Sequence, residues 1–286
     1  MCDDEIHQGV LTDARLSRRG FGLAGAAAAG LAGGARAVIS VSERDVEVTT
    51  PDGTADAALF HPQGRGSWPA VLIWPDVVSL RPVFRQMGRR LASEGYVVLV
   101  PNLYYRARRA PVVEAGFDFS KPEDRAKLTP LRAGVTPEGT MRDAAAYLGF
   151  LDAQRQTNRR RKAGVQGYCM GGALAFRTAA AVADRIGAVA SFHGGGLVAE
   201  GADSPHRRLQ TGAEYLVLVA DNDDQRDPQS KETLKAALAA AGRPHKVEVY
   251  RDSPHGWTVP GGSAYRPASA ERAWAELLSM YQRALK

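Results

Sequence analysis

The segment "KAGVQGYCMGGALAFRTAAA", residues 162–181, places a cysteine between glycines, after a short apolar run and before an alanine-rich amphipathic run. Gly167 and Gly171 flank Cys169 in a G-x-C-x-G pattern, the cysteine form of the nucleophile elbow. Such a sharp strand-to-helix turn strains the backbone of its central residue and admits only small neighbours. The pattern therefore predicts a strand, a turn that carries a reactive thiol, and a helix preceded by the Met170 N–H as an oxyanion donor.

The rest of the chain alternates strand-like and helix-like segments. Short continuous apolar runs such as "AVLIWPD", "YVVLVPN", "EYLVLVAD" and "HKVEVYRD" are typical of strands buried on both faces, and helical patterns lie between most of them. Two alternating β-prone runs joined at Pro51, Asp52 and Gly53 precede them and read as a hairpin. We predict an α/β fold with a mostly parallel sheet of about eight strands, an N-terminal antiparallel hairpin and helices on both faces.

Residues 1–37 read as a signal peptide of the twin-arginine type. Arg18 and Arg19 precede a glycine- and alanine-rich apolar stretch that ends in an A-x-A cleavage site at 35–37. We expect export to the periplasm or the cell exterior, with residues 38–286 as one mature domain and no stable membrane insertion; an uncleaved segment would leave the protein in the cytoplasm. Cleavage would remove Cys2, so Cys169 would have no disulfide partner.

Composition indicates a globular protein without a nucleic-acid surface. The 286 residues are 44% hydrophobic and 24% charged. The formal net charge is +6, but the basic residues are dispersed and "RRRK" at 159–162 is the one tight cluster. A nucleic-acid surface needs more concentrated basicity than this. We expect a monomer that binds a small molecule and uses neither a metal nor an organic cofactor.

Two further strand ends carry titratable residues. The acidic turn "VADNDDQRDP" follows one strand, and "RDSPHGW" places His255 after the last one. Reactive groups collect at the carboxyl ends of parallel strands, and the order nucleophile, acid, histidine is that of α/β-hydrolases. Each feature also has a plain alternative: a buried structural thiol, a solvated acidic turn and a structural histidine. His193, in "SFHGGG", is a rival base, but it precedes the acid, so we expect it to shape the site through a hydrogen bond.

From about Val46 to the C-terminus, these residues resemble the dienelactone hydrolase family of α/β-hydrolases. The most specific marks are "GYCMGG", "ASFHGG", the acidic turn and "PHGW", with support from "LASEGYVVLVPNLYYR". The resemblance implies that Cys169 is the nucleophile, His255 the base and an aspartate of "ADNDD" the third member. We expect Asp223 to be this aspartate, because it lies at the usual offset from the strand end, although counting back from Pro228 would select Asp224 instead.

The resemblance implies further roles around the nucleophile. A carboxylate after "VLIWPD" contacts the nucleophile in the family, usually as Glu, and this sequence has Asp76 there. The Val77 N–H would be the second oxyanion donor. Arg106 and its neighbour Tyr105, in "PNLYYR", would bind a substrate carboxylate, although the second arginine of that subsite is absent from "HGWTVPGG".

The long segment 104–139 does not fit the alternation of strands and helices and is typical of a binding loop or lid. With the predicted triad, the sequence favours an enzyme that cleaves a carboxylic ester or lactone through a thiol acyl-enzyme. The alternative is a non-catalytic binding protein that keeps the same fold.

Overall fold

The computed structural model describes residues 39–209 and 212–286. The predicted signal peptide, residues 1–37, lies outside the described residues. Among the residues described, no helix combines the length and apolar character needed to span a membrane.

The described residues form one eight-stranded sheet in the order β1-β2-β4-β3-β5-β6-β7-β8. The first two strands make an antiparallel hairpin, β2 pairs antiparallel with β4, and all other neighbours are parallel. The strands are β1 (Val41–Thr50), β2 (Gly53–Pro62), β3 (Ala70–Trp74), β4 (Val97–Pro101), β5 (Ala163–Tyr168), β6 (Ile186–Phe192), β7 (Glu214–Ala220) and β8 (His245–Tyr250). The predicted fold class, an α/β-hydrolase sheet with an N-terminal hairpin, is confirmed.

Helices cover both faces of the sheet, as the buried runs predict. They are α1 (Pro82–Ser93), α2 (Pro122–Ala126), α3 (Thr129–Ala133), α4 (Pro137–Ala153), α5 (Gly171–Ala181), α6 (Asp221–Arg226), α7 (Pro228–Ala240) and α8 (Pro267–Ala284), with a 3₁₀ turn at Pro205–Arg207. One core packs α4, α5 and α7 against the sheet, and the other packs α1 and α8. Alternate strand residues serve the two cores, as Leu72 and Ile73 do in β3.

The segment predicted as a loop or lid contains α2 and α3 and packs over the end of β3. Phe117, Phe119 and Leu128 form a small apolar cluster with Val77 and Val78, which directly follow β3. The segment therefore has its own buried contacts and forms a wall above the carboxyl ends of the central strands.

The elbow glycines should be far less replaceable than other glycines. A Cβ on Gly167 would lie 1.9 Å from the carbonyl oxygen of Gly171, whereas one on Gly149, within α4, meets nothing within 4 Å. We expect Gly167→Ala to lower the free energy of unfolding by about 3 kcal/mol or more. Gly149→Ala should raise it by about 0.5–1 kcal/mol, because alanine favours helix. Urea unfolding of both variants measures the contrast, and equal stabilities would contradict it.

Candidate active site

Cys169 occupies the turn between β5 and α5 in a left-handed backbone conformation, with φ at 54°. A non-glycine residue held there costs on the order of 1–3 kcal/mol and persists only where its surroundings impose it. The Cys169 N–H donates to Phe192 O at 3.1 Å, and a Cβ on Gly171 would lie 2.4 Å from Trp74 O. Contacts from neighbouring strand ends thus hold the thiol at the carboxyl end of the sheet.

Asp223, rather than Asp224, contacts His255. Nδ1 of His255 lies 2.6 Å from Oδ2 of Asp223, and the His255 N–H donates to Oδ1 of Asn222 at 2.8 Å. Asp224 points elsewhere, and its Oδ1 accepts from Nζ of Lys231 at 2.5 Å. The geometry therefore favours the offset from the strand end over the count back from Pro228.

The electrostatic environment of His255 strongly favours its charged form. Burial of the ring lowers its pKa, but the charge of Cys169 and the hydrogen bond to Asp223 outweigh burial and raise the pKa to about 10. The other ring nitrogen, Nε2, is buried and makes no hydrogen bond of standard geometry within the described residues. His255 and Cys169 line the same cavity, so Nε2 is available to the thiol and to a bound substrate.

His193 packs against the His255 ring. Its ring centroid lies 4.8 Å from that of His255 in an edge-on arrangement, and its Nε2 is 2.7 Å from the Thr258 hydroxyl oxygen. Burial, together with the nearby charge of His255, holds the pKa of His193 well below its usual range. His193 is therefore a neutral packing partner, and it is not among the described residues that line the cavity.

The two residues whose backbone N–H groups are predicted to bind an oxyanion both line the cavity. Met170 and Val77 both line it beside Cys169, and their N–H groups make no hydrogen bond among the described residues. The Val77 carbonyl is fixed by the Tyr104 hydroxyl, which donates to it at 2.7 Å. This contact, which sequence reasoning missed because Tyr104 lies in the irregular segment, steadies the loop that carries Val77.

Asp76 is buried and pairs with Arg81. Its two carboxylate oxygens accept from Arg81 at 2.6 and 2.7 Å, and Oδ1 also accepts the Val78 N–H at 2.9 Å. No hydrogen bond joins Asp76 to Cys169 in the described part of the chain. The expected contact between this carboxylate and the nucleophile is therefore not formed, because Arg81 takes both oxygens.

The cavity has a volume of about 470 Å³ and is largely apolar. Cys169 and His255 lie on its wall, and α5 and the segment with α2 and α3 supply most of the remaining surface. The lining includes three guanidinium groups, from Arg125, Arg132 and Arg177. No group of three His, Cys, Asp or Glu side chains within the described ranges could hold a metal ion. The site is thus built for an organic molecule with apolar parts.

Arg106 and Tyr105 do not line this cavity, which corrects the prediction that they bind substrate. The Arg106 guanidinium donates to both carboxylate oxygens of Asp143 at 2.8 Å and to Asp52 at 2.6 Å. The Tyr105 hydroxyl donates to Asp143 at 2.7 Å and lies 2.7 Å from the Thr50 hydroxyl. Both side chains are structural because their polar atoms tie α4 to the β1–β2 hairpin.

Removing the Arg106 charge should therefore destabilise the fold. Burial raises the pKa of Asp143 even with Arg106 beside it, so the carboxylate depends on this cation. We expect Arg106→Gln to lower the free energy of unfolding by about 2–3 kcal/mol. Arg109→Gln, which breaks an exposed pair with Glu47, is the matched control and should cause no measurable change. An unchanged melting temperature for Arg106→Gln would contradict the structural role.

Known proteins resemble this chain in fold and, at a low level of identity, in sequence. The "Putative carboxymethylenebutenolidase" of Escherichia coli (strain K12) is 26% identical over 227 residues, covering 77% of this chain and 79% of that protein. The protein of the same name from Synechocystis sp. is 26% identical over 254 residues, covering 87% of this chain and 100% of its own length. A crystal structure described as "Putative Dienelactone Hydrolase", from Klebsiella pneumoniae subsp. pneumoniae, superposes with a TM-score of 0.73 at 20% identity, covering 85% of this chain and 99% of that one. The model of the dienelactone hydrolase family matches residues 55–285, and the chain belongs to that family.

Proposed function

We propose that this family member hydrolyses a carboxylic ester or lactone through a covalent acyl-enzyme on Cys169. The observation that carries the proposal is the arrangement of Cys169, His255 and Asp223 at three strand ends, with the first two facing one apolar cavity. The carboxymethylenebutenolidase name of the relatives agrees with this class of reaction. Thiol chemistry suits activated esters and lactones better than amides, because an amine is a much poorer leaving group than an alkoxide.

In the proposed reaction, the Cys169 sulfur attacks the acyl carbon and a C–S bond forms. The N–H groups of Met170 and Val77 bind the oxygen that becomes negative. The tetrahedral intermediate collapses with loss of the C–O bond, and the His255 imidazolium gives its proton to the departing alkoxide. For a lactone the alcohol stays attached to the acyl group, and the ring opens. Asp223 orients the imidazole and stabilises its charged form.

The second half of the cycle regenerates the thiol. Neutral His255 takes a proton from a water molecule, whose oxygen attacks the acyl carbon. The C–S bond then breaks with its electron pair on sulfur, the acid is released, and the proton on His255 returns to the sulfur. His193 stays neutral throughout, so the positive charge resides on the ring that faces the cavity. We also propose export by the twin-arginine route, on the sequence of residues 1–37 alone.

The non-catalytic alternative has one observation in its favour, namely that Asp76 pairs with Arg81 and leaves the nucleophile without a neighbouring carboxylate. Hydrolysis does not depend on that carboxylate when His255 itself carries the proton. A purely binding role would leave Cys169 unacylated by any activated ester, whereas the proposed reaction passes through an adduct of defined mass.

Mutation of Cys169 and His255 tests the proposal directly. We expect Cys169→Ala and His255→Ala to abolish hydrolysis of activated esters and lactones while the proteins stay folded. Cys169→Ser should retain weak activity, because a serine hydroxyl needs a stronger base. Mass spectrometry of wild-type protein mixed with p-nitrophenyl acetate should show an acetyl group on Cys169. Wild-type turnover by Cys169→Ala would disprove the assignment.

Asp223 and Asp224 should differ in both rate and pH dependence. Asp223→Asn should lower kcat on the order of 10²-fold or more, as loss of tautomer control does in serine triads. His255 must be protonated to act as the acid, and its pKa of about 10 is raised partly by Asp223. The alkaline fall of kcat/KM should therefore move to lower pH in Asp223→Asn. Asp224→Asn is the matched control, and its kcat/KM should fall at the same alkaline pH as in the wild-type protein. The reverse result would assign the role to Asp224.

A further inference from the structure

One face of α5 forms a wall of the cavity over two helical turns. Met170, Ala173, Leu174 and Arg177 all line it, with the spacing i, i+3, i+4 and i+7 that places residues on one side of a helix. The N-terminal end of this stripe lies beside Cys169. Because a helix rises 1.5 Å per residue, Arg177 begins about 10 Å further along the wall. Cys169 and Arg177 therefore line the same cavity about two helical turns apart.

Apolar side chains line the cavity on two sides. Ala173 and Leu174 face it from α5, and Phe119, Leu128 and Val135 face it from the segment between β4 and α4. No polar group from these five side chains interrupts the surface. A hydrocarbon chain that lies here loses its contact with water, which favours binding.

Arg177 differs in its partners from Arg81, Arg106 and Arg185, which are also partly buried. Its Nη1 donates to the backbone carbonyl of Asp203 at 3.0 Å, and no carboxylate in the described part of the chain pairs with it. Arg81, Arg106 and Arg185, by contrast, each form a two-pronged pair with a buried or half-buried aspartate. Burial lowers the pKa of Arg177, and the nearby charges of Asp203 and Glu138, which raise the pKa, only partly offset the effect of burial.

The charged side chains on the rest of the cavity lining also favour an anionic ligand. None of the described residues that line the cavity is Asp or Glu, while Arg125 and Arg132 add positive charge from the opposite wall. Arg125 is held by the carbonyls of Phe119 and Ser120. The cavity is therefore lined by a thiol, by apolar side chains and by basic side chains, and no carboxylate is among its described lining residues.

We propose that Arg177 is a specificity-determining residue that binds a carboxylate at the far end of the substrate, beyond an apolar chain attached to the scissile ester. The planar guanidinium matches a carboxylate with two parallel hydrogen bonds, which a bare positive field does not provide. The inference rests on the proposed function, because the scissile carbonyl must lie at Cys169. Arg106 is predicted from the sequence to bind a substrate carboxylate, whereas this inference gives that role to Arg177 on α5.

The test compares two ester series of matched chain length. The mono-p-nitrophenyl esters of glutaric, adipic, pimelic and suberic acids end in a carboxylate, and p-nitrophenyl esters of the corresponding monocarboxylic acids end in a methyl group. We expect wild-type kcat/KM for the carboxylated series to peak within it, since the chain must span from Cys169 to Arg177. In Arg177→Gln, the ratio of kcat/KM for the best carboxylated ester to that for its neutral partner should fall about 10- to 100-fold. The loss should appear mainly in KM, and Arg177→Lys should restore part of it.

Arg208→Gln is the matched control. Arg208 lies close enough to influence Arg177 electrostatically and pairs with Asp203 at 3.3 Å, but it does not line the cavity. It should leave the ratio unchanged. An equal fall in Arg208→Gln would mean that a general positive field, and not a bound carboxylate, sets the preference. Equal losses on both ester series in Arg177→Gln would mean that Arg177 is structural. Either result would overturn the proposal.

Binding separates this inference from the proposed function. Calorimetry with Cys169→Ala protein and the monomethyl ester of adipic acid measures the subsite without turnover. Introducing Arg177→Gln into that background should weaken binding about 10-fold or more, while Arg208→Gln should not. If the wild-type protein hydrolyses no ester yet this difference in binding appears, the proposed reaction fails and the carboxylate subsite stands. Undiminished binding in Arg177→Gln would refute the subsite whether or not esters are hydrolysed.

Discussion

The close contact between Gly167 and Gly171 is the constraint on which the site depends. With a carbonyl oxygen where any side chain at position 167 would begin, β5 and α5 can approach only through backbone, and Cys169 must take a left-handed conformation between them. The same approach presses Gly171 against the carbonyl of Trp74 at the end of β3. One tight turn thereby fixes the thiol and brings together the two segments that carry Met170 and Val77, both of which line the cavity.

Of the two adjacent carboxylates near His255, one contacts the imidazole and the other pairs with a lysine. Asp223 and Asp224 are adjacent, but on the α6 helix successive side chains point about 100° apart, so only one can face the imidazole. Lys231 neutralises the other. His193, the nearest ring, is neutral because it is buried beside a cation. The positive charge at the site is therefore concentrated on His255, next to the sulfur.

Much of the fold and the core of the site could be predicted because their signals are local. Strand and helix patterns, the glycines around Cys169 and the order of the three strand ends all lie within short windows of sequence. The choice of Asp223 over Asp224 was less secure, because the offset from the strand end and the count back from Pro228 disagree by one residue, and the direction of each side chain on α6 separates them. Arg106 was misread for a different reason: its partners Asp52 and Asp143 are 54 and 37 residues away.

Arg177 is a residue whose possible role in binding the sequence does not indicate. On an alanine-rich amphipathic helix a single arginine has the pattern of a solvated face, and nothing in the sequence marks it as lining a cavity. Residue type therefore decides little about anion binding here; what matters is whether the protein already supplies the countercharge. Arg106 has two carboxylates and has no free capacity for a third, whereas Arg177 is partly removed from water with one backbone carbonyl as partner. A partly buried cation of this kind is stabilised by an incoming carboxylate more than an exposed one is, because water has already been displaced from part of its surface.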